Sequence, residues 1–169
     1  MSLEPLLQAD IAVQIHAFTA LLAFALGAFV LWRRKGTRLH RALGRLWVML
    51  MLVVATSALF INEIRLIGPF SPIHLFVVST YWGLAVGIWH IRVERDIAKH
   101  RAAMQGTYLW ALLLAGAFTL LPGRRMHEVL FGSDAGWIPS LLVVGLGITA
   151  ALLLSRRSGP RPQSEIKPS

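Results

Sequence analysis

Histidine is the residue of this chain best equipped for chemistry. Six are present, at positions 16, 40, 74, 90, 100 and 127, and there is no cysteine. The lack of thiols excludes disulfide scaffolds, zinc ribbons, iron–sulfur clusters and cysteine nucleophiles. Ser57, Ser71, Ser79 and Ser140 lack the histidine and carboxylate arrangement of a nucleophilic triad. Gly145 and Gly147 sit inside an apolar run and read as close helix packing, not as a phosphate loop. Imidazole is what remains. It can carry protons, ligate a metal or, in facing pairs, supply both axial ligands of a haem iron.

Four histidines recur in a pattern. Ile15-His16 is followed by a basic stretch and then His40-Arg41; Ile73-His74 is followed by a basic stretch and then His100-Arg101. The intervals between histidines are 24 and 26 residues. Two copies of one helical hairpin, about 11–63 and 69–122, would repeat in parallel about an axis along the membrane normal. His16 and His74 then share one layer of a four-helix bundle, and His40 and His100 share another. Each pair comes from diagonally opposed helices, so a flat macrocycle fits between facing rings.

The elements that position these rings are membrane helices. Apolar residues make up 56% of the 169 and charged ones 15%, with mean hydropathy +0.61. Soluble domains run nearer ~45–50% and ~25%. A spanning helix needs about 20 residues with few charges. Five segments qualify: Ile11 to Trp32, Leu46 to Asn62 (with room to begin earlier if Arg41 and Arg45 snorkel), Leu66 to Ile91, Ala102 to Gly123, and Ala135 to Ser155. Pro72 and Pro139 stand near helix starts, where proline is tolerated. The expected fold is an all-α integral membrane protein, residues 1–155 forming one five-span domain and 156–169 a disordered cytoplasmic tail. Met1 to Asp10, with two acids and no positive cluster, does not read as a signal peptide. Residues 124–136 mix apolar and polar side chains and suggest a short interfacial helix.

Charge sets the expected orientation. Fourteen of the 17 basic residues fall in the loops after spans one and three and in the tail. The positive-inside rule then places the N-terminus outside and the C-terminus in the cytoplasm. The net charge of +9 is explained by topology and anionic lipid, without nucleic acid. Trp32, Trp89 and Trp137 fall near span ends as an interfacial belt; Trp47, Trp82, Trp110, Tyr81 and Tyr108 are candidates to flank a macrocycle. Asn62, Glu63 and Arg65 suggest a polar cap at the outer surface, and His127 reads as ordinary surface.

Arg34-Lys35-Gly36-Thr37 followed by His40-Arg41 and Gly44-Arg45, then Gly68-Pro69-Phe70-Ser71-Pro72-Ile73-His74, Asp96 with His100-Arg101 and Met104, and Phe118 to Arg124 together resemble a bacterial membrane family, domain of unknown function 2306. The likeness covers about Ile15 to Gly132 and implies a small multi-span protein of the bacterial inner (plasma) membrane. The histidine layout is also similar to transmembrane di-haem b-type cytochromes. That resemblance implies one or two haem b groups, with His16 and His74 as outer ligands and His40 and His100 as inner ones. His90 is an alternative inner ligand. Arg41 and Arg101 would neutralise propionates. The expected function is electron transfer across or within the bilayer, with a quinol or another electron-transfer partner. The rival is a non-redox protein, a small-solute carrier or assembly factor, whose histidines are structural or handle protons or a metal. No hydrolytic or transferase site is visible.

Overall fold

A computed structural model describes residues 2–61, 72–132 and 135–157, and the regular structure among them is helical. A short α1, Glu4–Leu7, precedes α2, Ile11–Trp32, and α3, Arg38–Ala58. Next come α4, Pro72–Arg92, and α5, Ile97–Thr107. A π-helical segment, Tyr108–Leu114, continues α5 without a break into α6, Ala115–Thr119. The last elements are α7, Arg125–Phe131, and α8, Trp137–Arg157. Among the described residues three stretches are long and apolar enough to cross a membrane: Ile11–Trp32, Arg38–Ala58 and His74–Arg92. At 1.5 Å per residue, 22 residues reach about 33 Å, enough for a hydrocarbon core of about 30 Å. The polar cap expected at Asn62 to Arg65, the start of the third span from Leu66 and the tail from 158 lie outside the described residues.

Helix starts differ from the hydrophobic runs that suggested them. α3 begins eight residues before Leu46, because the Thr37 side chain accepts the His40 N–H at 3.0 Å and caps the helix. α5 begins five residues before Ala102, where Asp96 accepts the Lys99 N–H at 2.9 Å. Both turns before these caps contain a left-handed residue, Gly36 at φ 82° and Arg95 at φ 56°. Thr119 ends the fourth run just before Pro122-Gly123, with Gly123 at φ 77°.

α2 packs most extensively on α3, and α4 on α5; α3 joins the two pairs, and the π-helical segment touches both α2 and α4. The principal contacts thus run around a ring in which α2 and α4 are not neighbours. Lipid tails are as apolar as leucine, so close packing and hydrogen bonds, not apolar burial, must hold such a ring together. The core supplies both. Ala23, Trp47, Met51, Val54, Leu84, Tyr108 and Leu112 are buried together. Trp47 Nε1 donates to the Ala23 carbonyl at 3.0 Å, and Tyr108 Oη to that of Phe24 at 3.2 Å. Gly27 makes room for both rings: a Cβ there would lie 2.6 Å from each. Leu75, Trp82, Ile138 and Leu142 point outward and are about 70% exposed, as lipid-facing side chains would be.

Candidate functional site

His16 and His100 are held in the same way at opposite ends of the ring. His16 Nδ1 lies 2.9 Å from the Val54 carbonyl and 3.2 Å from Ser57 Oγ, both on α3. His100 Nδ1 lies 2.8 Å from the Gly87 carbonyl, on α4. A carbonyl only accepts, so Nδ1 donates in both rings, and in the neutral imidazole Nε2 then carries the lone pair. His74 is half-buried in the first turns of α4, on the helix that α2 does not pack against.

His40 stands in the first turn of α3, within electrostatic reach of His100, Lys35 and Arg33. Its Nδ1 is buried and has no hydrogen-bond partner among the described residues, and the same holds for Arg33 Nε and Arg101 Nε. Arg41 Nη1 donates to the Gly36 carbonyl of its own turn at 3.1 Å. Arg33 was missed because a cation directly after Trp32 reads as part of a solvated loop. Its signal was that position, the first residue past an apolar helix, from which the side chain folds back along its own helix; the guanidinium lies 5.5 Å from the Phe29 ring centre.

His90, the alternative inner ligand, is bound to Glu94 at 2.9 Å. Lys99 Nζ reaches the same Glu94 oxygen at 3.0 Å. These two donors, Lys99 first, hold the Glu94 carboxyl below the usual carboxylate range. Asp96 is held low as well, chiefly by the Lys99 N–H it accepts.

Two aromatic and histidine expectations need correction. Trp82 and Trp110 are 72% and 63% exposed and point away from the core, so of the tryptophans proposed to flank a macrocycle Trp47 alone is inside. His127 is not surface: it is 1% exposed. Its Nδ1 meets the Leu120 carbonyl at 2.9 Å and Ser140 Oγ at 3.0 Å, and its Nε2 meets the Ala135 carbonyl at 2.7 Å. The ring thereby ties the end of α6 to α7 and α8. Phe131, one turn on and 5.2 Å away ring to ring, was the sequence signal for burial.

Among the described residues no three of His, Asp and Glu gather as a metal-binding cluster. The imidazole chemistry is therefore that of pairs, arranged in an all-helical, multi-pass membrane protein. The chain belongs to the family DUF2306, described as predicted membrane protein, which matches residues 13–156. No curated protein and no solved structure matches it.

Proposed function

We propose that this chain is a five-span, membrane-embedded b-type haem protein that moves electrons across or within the bilayer. Two parallel copies of one hairpin form its four-helix bundle, and the fifth span is α8. Basic loops and tail face the cytoplasm. One observation carries the reading: each layer contains an imidazole, His16 or His100, whose Nδ1–H is tied to a main-chain carbonyl of the other helix in its hairpin. That is how a protein orients an axial histidine and makes its Nε2 a better donor to iron. The repeat supplies the second ring of each layer, His74 for His16 and His40 for His100. Haem held there would supply one-electron transfer.

The residues themselves do the positioning. Trp47, Met51, Tyr108 and Leu112 fill the middle of the bundle and keep water out between the layers. Ala23 and Trp47 share a level, and each is seven residues from its histidine, so the layers are separated by roughly 20 Å of helix rise. The inner layer fits the group well in chemistry, with two imidazoles within electrostatic reach and the buried Nε groups of Arg33 and Arg101 available to propionates. A structural role is the second reading, favoured by the two oxygens that already satisfy His16 Nδ1.

The test is a visible spectrum of the protein purified in mild detergent from haem-replete cells, oxidised and then reduced with dithionite. The expected result is a Soret band and a sharp reduced α band, with about half the haem lost in His16→Ala and in His100→Ala. No Soret band in the wild type would leave the structural reading.

A further inference from the structure

His40 is the exception in its treatment of Nδ1. His16, His90, His100 and His127 each place this atom against an oxygen, of Val54, Glu94, Gly87 and Leu120 in turn. At His40 it is buried without a partner among the described residues. Arg33 Nε, from the end of the neighbouring helix α2, is buried and unpartnered too. Arginine Nε can only donate, and Nδ1 of a histidine donates when it carries the ring proton, so a single acceptor serves both atoms. A buried donor with no acceptor is costly, and more so when charged.

The surroundings define the acceptor's charge. The groups acting electrostatically on His40 are His100, Lys35 and Arg33, all basic. The described carboxylates of this end are engaged: Glu94 with His90 and Lys99, and Asp96 with the N–H of Lys99 and, at 3.7 Å, its Nζ. Arg41 is turned to Gly36. The positive end of the α3 dipole adds to the same field.

We propose that His40 Nδ1 and Arg33 Nε bind a phosphate-type oxyanion at the basic end of the bundle, with Arg101 as a further donor on α5. Two sources share this chemistry, the headgroup of an acidic phospholipid and free phosphate. The site lies where α2 ends beside the 81% exposed Trp32, the depth of lipid headgroups in a spanning protein. It shares Arg33 and Arg101 with the haem reading, in which they would face propionates, but it uses Nδ1 of His40 and leaves Nε2 unengaged.

The experiment uses the full chain, delipidated in detergent and phosphate-free buffer. Phosphatidylglycerol, phosphatidylcholine and inorganic phosphate are titrated separately, following the unfolding midpoint by tryptophan fluorescence and bound lipid by native mass spectrometry. The wild type should be stabilised by phosphatidylglycerol well before phosphatidylcholine if lipid is the source, or by inorganic phosphate if it is not. Half-saturation should rise tenfold or more in Arg33→Gln and His40→Ala. His40→Asn, whose amide N–H stands near the Nδ1 position, should recover most of the response; Arg34→Gln, an exposed neighbour, should leave it unchanged. If Arg33→Gln or His40→Ala fails to fold, Arg33→Lys and His40→Asn against Arg34→Gln decide the matter. No wild-type response to either phosphate source, or equal losses in Arg34→Gln and the Arg33 variant, would overturn the proposal. Soret absorbance of the same samples separates the outcomes: a phosphate response without haem sinks only the haem reading, and a haem-binding protein whose haem-stripped form gives no phosphate response sinks only this one.

Discussion

In the hairpin of α2 and α3 an indole closes the helix interface, whereas small side chains close that of α4 and α5. Trp47 donates to the Ala23 carbonyl and, with Tyr108, presses on Gly27. In the second hairpin Gly83 faces Thr107 and Gly87 faces Met104, both too closely for a Cβ without movement. The difference decides which side chain meets the main chain of the preceding helix. His100 reaches the Gly87 carbonyl, while in the first hairpin the indole takes the carbonyl contact and His40 Nδ1 has no partner. In a membrane, where apolar burial drives little, one such exchange redistributes the polar contacts that hold a helix pair.

The largest expected effect tests the indole. Trp47→Ala removes a side chain only 4% exposed, together with its hydrogen bond, and should cost about 3–5 kcal/mol. Thr107→Ala, at the small-residue interface, should cost about 1 kcal/mol, since its hydroxyl bonds within its own helix to Ala103. Unfolding titrations in detergent mixtures measure both, and equal losses would erase the contrast. The glycines sharpen it. Gly27→Ala pushes against two rigid rings and should destabilise by about 1–3 kcal/mol, whereas Gly87→Ala meets the flexible end of Met104 and should cost clearly less. The reverse order would show that α4 and α5, not α2 and α3, form the stiffer pair.

The α2–α3 and α4–α5 turns follow a common design with one residue out of place. Gly36 adopts φ 82° without a side-chain penalty, but Arg95 at φ 56° carries a Cβ where L-residues are disfavoured by about 1–2 kcal/mol. Arg95→Gly should therefore stabilise the protein by up to about 1 kcal/mol, and Gly36→Ala should destabilise it by a similar amount. The same unfolding titrations, run on both variants, check the opposite signs.

How much of this was legible depended on which physics governed each residue. Ile11 to Trp32 was readable to the residue because it has no charge and ends at a cation. The starts at Arg38 and Ile97 were not, because cations in a first turn look like loop until the caps at Thr37 and Asp96 are recognised. Nothing in Tyr-Leu-Trp-Ala-Leu-Leu-Leu announces a π-helical turn, since an all-apolar run has no period to shift. Among the site residues, His16, His74, His40 and His100 were placed near helix ends by the apolar runs, and their half-burial is what the structure adds. Which arginine buries its Nε did not follow from the sequence: Arg33 and Arg41 differ in how each side chain leaves the turn, a choice made by packing.

The smallest expected effect separates the turns by pH. Thr37 caps α3 with a hydroxyl that does not titrate, while the α4–α5 turn depends on Glu94 and Asp96. Both carboxyls are held below their ordinary range, Glu94 mainly by Lys99 and then His90, Asp96 mainly by the Lys99 N–H. A carboxyl whose folded value is depressed contributes stability that is present above its unfolded value and is lost as pH falls through the folded one. From about pH 5 downward the second turn should therefore loosen before the first, by a small margin because both groups are solvent-screened. Hydrogen exchange of amides 93–99 compared with 33–40 reads this directly. Asp96→Thr, which replaces the titrating cap with the first hairpin's own, combined with Glu94→Gln, should make the two turns respond alike. If the wild-type turns already open together in acid, the carboxylates do not hold the second turn, and the asymmetry between the hairpins lies in the helix interfaces alone.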